Sequence, residues 1–171
     1  MTNRNYHLII YFFSLTIFLG CSNQLYINQN GYGPIKVGMR IDIAYQKIDK
    51  KIEPKDALTE NDMKCFYAFI ENTSDSLMLT VKNSHILRFD CDSKLISTDE
   101  DIRVGDAVQK VLINYGSMIK KRELHYLENS EYSLSVIDKT TELIFIIQND
   151  AVKKIIVGDL SIINQQEGCS Q

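Results

Sequence analysis

The sequence lacks the surplus of basic residues that nucleic-acid-binding proteins carry. Its 19 Lys and Arg residues stand against 22 Asp and Glu residues, which gives a net charge of −3 at pH 7. Binding to nucleic acid requires a basic footprint that neutralises phosphates. We therefore exclude nucleic acid as a partner, and we also exclude attachment to anionic lipid through the charge of the protein alone.

The N-terminal apolar run is too short to be a permanent membrane span. It covers the 13 residues 8–20 after Arg4, whereas a spanning helix needs about 20. A short cationic start, an apolar stretch and the small residue Gly20 predict a secretory signal peptide over residues 1–20. Its removal from the 171-residue chain leaves 151 residues, which is enough for one domain with its own core.

Cys21 follows Gly20 directly, an arrangement that resembles a bacterial lipobox. The sequence therefore predicts lipidation at Cys21, with residues 21–30 as a tether and the membrane as a partner through the lipid. Phe18 and Leu19 depart from the usual motif, so an ordinary signal peptide cut elsewhere and an uncleaved anchor are the alternatives. Ser22 after the cysteine resembles the pattern for sorting to the outer membrane, and we expect a lipid-anchored protein on its periplasmic face.

Motifs of catalysis and metal binding are also missing. The sequence has no nucleophile elbow, no H-E-x-x-H and no P-loop, and neither His85 nor His125 has a neighbour at metal-ligand spacing. In Asp90-Cys91-Asp92, alternation along a strand would turn Cys91 away from both aspartates. We therefore predict no catalytic residues, no metal and no cofactor, and we interpret Lys120-Lys121-Arg122 as a solvated charge run.

Cysteine usage leaves a choice open. An exported chain resides where disulfides persist, and lipidation of Cys21 would leave Cys65, Cys91 and Cys169. One of these three must stay free or pair between chains, and the residues themselves allow three pairings. A bridge between Cys65 and Cys169 would close a loop of about 100 residues, worth roughly 4–5 kcal/mol in chain entropy.

Two stretches of the chain repeat a pattern. Ile35-Lys36-Val37-Gly38 matches Ile102-Arg103-Val104-Gly105, and apolar residues at i, i+3, i+4 and i+7 follow each glycine. This spacing predicts helices over 40–50 and 106–115, and the second should stop at Gly116. Runs rich in β-branched residues then predict strands at 64–71, 76–81, 85–91, 123–128, 132–137, 142–148 and 152–157.

The pattern predicts an α+β fold. Two helix-then-antiparallel-meander repeats, about 31–92 and 101–158, would form one pseudo-symmetric domain over 31–171, with its helices packed on a sheet. Residues 159–171 would be a C-terminal tail.

Five short motifs together resemble a family of uncharacterised bacterial tandem-repeat envelope lipoproteins. That family is distantly similar to the SmpA/BamE-type assembly lipoproteins and to the tandem-repeat β-lactamase inhibitor. The resemblance implies a disulfide between Cys65 and Cys169, leaves Cys91 outside the pattern and implies no known reaction. The motifs are Gly31-Tyr32-Gly33-Pro34-Ile35-Lys36-Val37-Gly38-Met39, Cys65-Phe66-Tyr67, Ile102-Arg103-Val104-Gly105-Asp106, His125-Tyr126-Leu127 and Glu167-Gly168-Cys169.

These observations lead to one expected function and two alternatives. We expect a lipid-anchored cell-envelope protein without catalytic activity that binds another envelope protein, in envelope maintenance or assembly. One alternative is an inhibitor of a periplasmic hydrolase, with the loops 71–76 and 128–131 as candidate inhibitory segments. The other is a carrier that holds a small ligand on the concave face of the sheet.

Overall fold

The computed structural model of the chain describes residues 25–48, 50–55, 64–71, 77–124, 126–128, 130–166 and 168–169. The predicted signal peptide, Cys21 and residues 22–24 of the predicted tether lie outside the described residues. No helix within these ranges is both long and apolar enough to cross a membrane.

Eight antiparallel strands form the main sheet. The strands are β4 (Ile52–Pro54), β5 (Cys65–Ile70), β6 (Leu77–Lys82), β7 (His85–Cys91), β8 (Lys120–Arg122), β9 (Glu131–Asp138), β10 (Thr141–Gln148) and β11 (Ala151–Asp159). Their order across the sheet is β4-β5-β6-β7-β11-β10-β9-β8. Each half of the chain therefore contributes four strands. The last strands of the two halves, β7 and β11, pair with each other at the centre of the sheet.

The predicted α+β fold with helices packed on a sheet is wrong, because antiparallel strands make up most of the fold. The described residues contain two short α-helices, α1 (Ile41–Lys47) and α2 (Val108–Tyr115), of seven and eight residues. The helical spacing of apolar residues is real but lasts only about two turns. Ala44 is the buried residue of α1, and Val108, Val111 and Tyr115 are those of α2.

The same backbone arrangement precedes each helix. Gly38 and Gly105 have φ angles of 82° and 95°, a conformation that glycine adopts at little cost. Their N–H groups donate to the carbonyls of Ile86 and Val152 at 2.7 and 2.8 Å. Each helix start is thus tied to the last strand of its own half.

The hairpin turns before β7 and β11 have the same backbone conformation. Asn83-Ser84 and Asn149-Asp150 connect their strands, and all four residues have positive φ angles. Positive φ at both central residues is the requirement of the type I′ turn, whose twist matches that of a hairpin.

Residues that we assigned to the tether belong to the folded region. Strands β1 (Ile27–Asn28), β2 (Gly31–Tyr32) and β3 (Ile35–Lys36) form a separate three-stranded sheet. Ile27 is 1% exposed, and its N–H donates to the Ser97 carbonyl at 2.9 Å. The fold therefore includes residues before position 31.

One predicted strand is displaced. The described residues of 123–128 form no strand, and the pairing with β9 is made instead by β8, which holds Lys120 and Lys121. Lys120 and Lys121 are exposed at the edge of the sheet, where charged side chains discourage pairing with another chain.

The two faces of the main sheet are buried differently. On what we call the first face, apolar side chains from the strands join the helices, β1–β3 and Ile96, Ile102 and Val104 in the main core. The Tyr115 ring of α2, for example, lies 5.4 Å from the ring of Phe145. On the second face, a smaller apolar cluster of Leu124, Ile144, Ile146, Ile156 and Ile163 shares the surface with buried charges.

Candidate functional site

A cavity of about 350 Å³ lies on the second face of the sheet. The strand register builds its floor: Met78 pairs with Asp90, Asp90 with Ile156, and Ile146 with Lys154. Residues directly opposite each other on paired strands project to the same side of the sheet. Side chains from β6, β7, β10 and β11 therefore converge there.

The walls of the cavity combine apolar and charged groups. The apolar lining is Met78, Leu127, Ile146 and Ile156. The polar lining is Arg88, Asp90, Tyr126, Glu131, Lys153, Lys154 and Gln166. Small-ligand sites in proteins are usually lined mainly by apolar side chains with a few polar groups, so this cavity, with seven polar residues among the eleven that line it, is more polar than most.

Arg88 and Asp90 form a buried ion pair in the cavity wall, with side chains 4% exposed. Arg88 donates from Nε and Nη2 to the two Asp90 oxygens at 2.8 and 2.6 Å, and from Nη1 to the Gln165 carbonyl at 2.5 Å. Burial, the largest single influence, lowers the pKa of Arg88, but the charge and the hydrogen bonds of Asp90, with smaller contributions from Tyr126 and Tyr67, together raise the pKa overall. The guanidinium therefore stays charged and committed to Asp90.

The two lysines of the cavity differ in their partners. Lys153 forms an ion pair with Glu131, whose side chain is 6% exposed, and the hydrogen bond to Glu131 raises the pKa of Lys153. Lys154 Nζ lies 3.4 Å from Asp92, whose side chain is 58% exposed. Exposed pairs of this kind contribute little, so the Lys154 ammonium is available to another anion.

The C-terminal tail covers the second face. Gly158 lets it approach, because a Cβ at Gly158 would come within 2.8 Å of the Ile163 side chain. Further along, a Cβ at Gly168 would lie 2.5 Å from Thr80 Oγ1. The tail thus packs closely on β6, β7 and β11, and its residue Gln166 lines the cavity.

A disulfide between Cys65 and Cys169 holds the end of the tail, with a Cα–Cα distance of 5.5 Å. The Cys169 N–H also donates to the Tyr67 hydroxyl at 3.2 Å. The disulfide confirms the pairing that the family resemblance implies. It joins the tail to β5, two strands away from β7.

Cys91 is the free cysteine among the residues described. It is fully buried in the main core, whereas Asp90 faces the second side, as the alternation argument predicts. Burial raises the pKa of Cys91 to about 11, which makes the thiol unreactive near neutral pH. Within the described ranges, no group of three or more His, Cys, Asp or Glu residues is placed to hold a metal ion.

Other residues that we considered lie apart from the cavity. His85 Nδ1 lies 2.8 Å from the Asn83 carbonyl at a hairpin turn, and His125 lies outside the described residues. Lys121 Nζ lies 5.7 Å from the centre of the Tyr132 ring. Arg122 binds the buried Glu142 at 2.7 Å and also contacts Asn164 of the tail.

The outer side of α2 and the turn that follows it expose apolar side chains. Leu112, Ile113 and Met118 are 43%, 79% and 57% exposed. We call these three residues the α2 apolar surface. Large apolar side chains exposed singly are normal, whereas contiguous patches mark sites of interaction, and these three residues lie within seven positions of one another in the chain.

Sequence reasoning missed Arg88, Lys154 and the cavity. One signal was present, because Arg88 and Asp90 stand two residues apart within the predicted strand 85–91 and therefore share a face. The pairing of β7 with β11 and the return of the tail, which complete the site, leave no local pattern in the sequence.

No protein-family model matches the chain, and no curated protein matches it. Two solved structures are similar at low sequence identity. The uncharacterized protein yfeY from Escherichia coli has 14% identity and a TM-score of 0.46, over 78% of this chain and 99% of its own. An extracellular protein containing an SCP domain from Bacillus anthracis has 7% identity and a TM-score of 0.44, over 75% of this chain and 46% of its own.

Proposed function

We propose that this chain is a lipid-anchored protein of the bacterial cell envelope that works by binding, without catalysis. The apolar run over 8–20 and Cys21 support the anchor. The second-face cavity supports binding of a small ligand. In its lining, Arg88 is paired with Asp90 and Lys153 with Glu131.

One observation carries the proposed ligand binding: a cavity of about 350 Å³ with apolar walls and charged side chains. The volume falls within the range of about 300–1,000 Å³ that ligand sites occupy, and apolar side chains line the cavity beside the charged ones. The cavity lies between the sheet and a tail whose end is held by the disulfide between Cys65 and Cys169.

The test is to identify small molecules that copurify with the full chain from envelope membranes. Leu127→Trp places a larger side chain in the cavity and should remove the bound molecule from the mass spectrum. Leu95→Trp is the matched control, because Leu95 is 83% exposed and does not line the cavity. A spectrum with no copurifying molecule, or one that Leu127→Trp leaves unchanged, would contradict the proposal.

The anchor has its own test. Intact mass of the protein extracted from membranes should exceed the mass of residues 21–171 by an acylated glyceride, and Cys21→Ser should lose that addition. An unmodified Cys21 in the membrane fraction would refute lipidation.

A second candidate function is binding of an envelope protein through the α2 apolar surface. Ile113, at 79% exposure, is the observation that favours it, since apolar side chains concentrate in interface cores. Ile113→Glu should abolish crosslinking to a defined partner in intact cells, and Gln109→Glu on the same helix should not. Equal crosslinking by both variants would argue against this surface. The alternative of a hydrolase inhibitor rests on loops 71–76 and 128–131, which fall partly outside the described residues.

A further inference from the structure

We infer that the second-face cavity selects a small amphipathic monoanion, with the negative group on Lys154 and the apolar body against Ile146 and Ile156. This inference rests on the proposed ligand-binding function and adds the chemical class of the ligand. It follows from the ion-pair partner of each charged side chain that lines the cavity.

Three cationic and two anionic side chains line the cavity. Arg88 is held by both oxygens of Asp90 and by the Gln165 carbonyl. Lys153 is held by Glu131. Lys154 is the remaining cation, and its pair with Asp92 is long and solvent-exposed. The lining therefore carries one positive charge in excess, and that charge is located at Lys154.

The apolar part of the lining begins beside this lysine. Lys154 pairs directly with Ile146 across the β10–β11 ladder. Ile156 follows Lys154 by two residues on the same strand and so shares its face. Ile146 and Ile156 are 3% and 1% exposed. A ligand with an anionic end at Lys154 thus lies over an apolar floor that is itself almost fully buried, and the partly buried Met78 and Leu127 supply more of the accessible apolar surface.

A cationic ligand is less well placed inside the cavity, because Asp92, the carboxylate beside Lys154, does not belong to the lining. The two acidic side chains of the lining, Asp90 and Glu131, are both bound to cations of the protein. An ammonium group in the cavity would approach Lys154 without an acidic side chain of the lining left to pair with it. Like charges at short range repel, most strongly where water is excluded.

The volume limits the size of the ligand. At about 350 Å³, the cavity is at the lower end of the range of about 300–1,000 Å³ for ligand sites. One aromatic ring with a short acidic chain is a body of suitable size, whereas a complete diacyl lipid is too large.

Three probes with one body and different end groups test the inference: 3-phenylpropanoate, 3-phenylpropanol and 3-phenylpropylammonium. Each is titrated calorimetrically into the full chain in detergent micelles, with protein-free micelles as the blank. We expect 3-phenylpropanoate to bind about tenfold more tightly than the alcohol, and the ammonium compound to bind most weakly.

Lys154 variants locate the effect. Lys154→Met keeps the apolar stem and should weaken 3-phenylpropanoate about tenfold, to the level of the alcohol. Lys154→Arg should retain the preference, and so should Lys47→Met, which removes an exposed lysine from α1 as the matched control. Unchanged affinity in Lys154→Met, or loss of affinity in Lys154→Arg, would overturn the assignment to this lysine.

The outcomes distinguish preference for a monoanion from ligand binding by the cavity in general. Equal or tighter binding of the ammonium compound, or of the alcohol, would overturn the monoanion and leave a ligand cavity in place. Absence of binding by all three probes would count against the cavity as a site for ligands of this size, and therefore against both.

Discussion

The two faces of the eight-stranded sheet are buried by different kinds of side chains. On the first face, large apolar residues such as Phe89, Phe145 and Leu79 are fully buried beneath the helices and β1–β3. On the second face, Arg88, Asp90 and Glu142 are buried as ion pairs, and the C-terminal tail covers them. The first face has a continuous core, whereas the second has a charged cavity.

This difference indicates a division of roles. Apolar burial contributes about 25 cal/mol per Å² and needs no specific partner. Buried ion pairs contribute little net stability compared with well-packed apolar residues of similar volume. A second face built for stability alone would not need them, so we assign the stability of the fold mainly to the first face and place the proposed ligand binding on the second.

Truncation of the first face should have the largest effect. Phe89→Ala removes a fully buried ring, and such changes lower the free energy of unfolding by about 3–5 kcal/mol. Chemical denaturation measures the loss, and Ile137→Ala, at a site 45% exposed, is the control with an expected change within about 0.5 kcal/mol. Similar small losses in both variants would show that the first face is not the stabilising core.

The buried ion pair of the second face should show a different signature. Asp90→Asn leaves Arg88 charged without its partner and should cost about 3 kcal/mol, whereas replacing both residues, as Arg88→Met with Asp90→Leu, should restore most of the loss. Asp42→Asn breaks an exposed pair, with side chains more than half exposed, and is the control in which no measurable loss of stability is expected. A double variant as unstable as Asp90→Asn would mean that the pair itself stabilises the fold.

Loss of the disulfide should affect the second face selectively. The bond closes a loop with a sequence separation of 104, and its removal in Cys65→Ser with Cys169→Ser should cost about 2–5 kcal/mol. Limited proteolysis should then cut the tail after Asp159 before it cuts the strands. Cleavage of tail and strands at equal rates would contradict the description of the tail as a separate cover.

Titration of the Cys91 thiol, on the first face, should change the free energy of unfolding less than the substitutions above. Burial raises the pKa of Cys91 to about 11, above about 8.5 for an exposed thiol. The folded state therefore holds this proton longer than the unfolded state, so its contribution is complete below about pH 8.5 and declines as pH rises towards 11. Unfolding experiments from pH 7 to 10.5 should show a shallower decline in Cys91→Ala than in the unsubstituted chain. Parallel declines would contradict a buried, protonated Cys91.

The sequence predicts the strands better than the fold or the site. Strand β7 matches its prediction at both ends, and β10 differs by one residue, because β-branched runs there are bounded by polar turns. Strands β1–β4 have only two or three residues each, which is too few to show the alternation of apolar and polar residues that marks a strand. The predicted fold class was wrong because the helical spacing after Gly38 and Gly105 lasts only about two turns, which is too short for the helices to form a layer over the sheet.

The site depends on contacts between distant parts of the chain. Asp90 and Ile156 become neighbours only through the pairing of β7 with β11, and Gln165 reaches Arg88 from 77 residues away. Local patterns do not encode such pairings. The bond between Cys65 and Cys169 was anticipated through resemblance, since cysteine spacing alone allowed three pairings.

The isoleucine methyl groups of β10 and β11 test the central claim most directly, because neighbouring isoleucines point to opposite faces. Ile146 and Ile156 belong to the second face, whereas Ile147 and Ile155 belong to the main core of the first. In methyl NMR spectra of the full chain in micelles, saturating 3-phenylpropanoate should shift Ile146 and Ile156 and leave Ile147 and Ile155 nearly unchanged. Shifts confined to Ile147 and Ile155, or no saturable shift at any of the four, would contradict the assignment of binding to the second face.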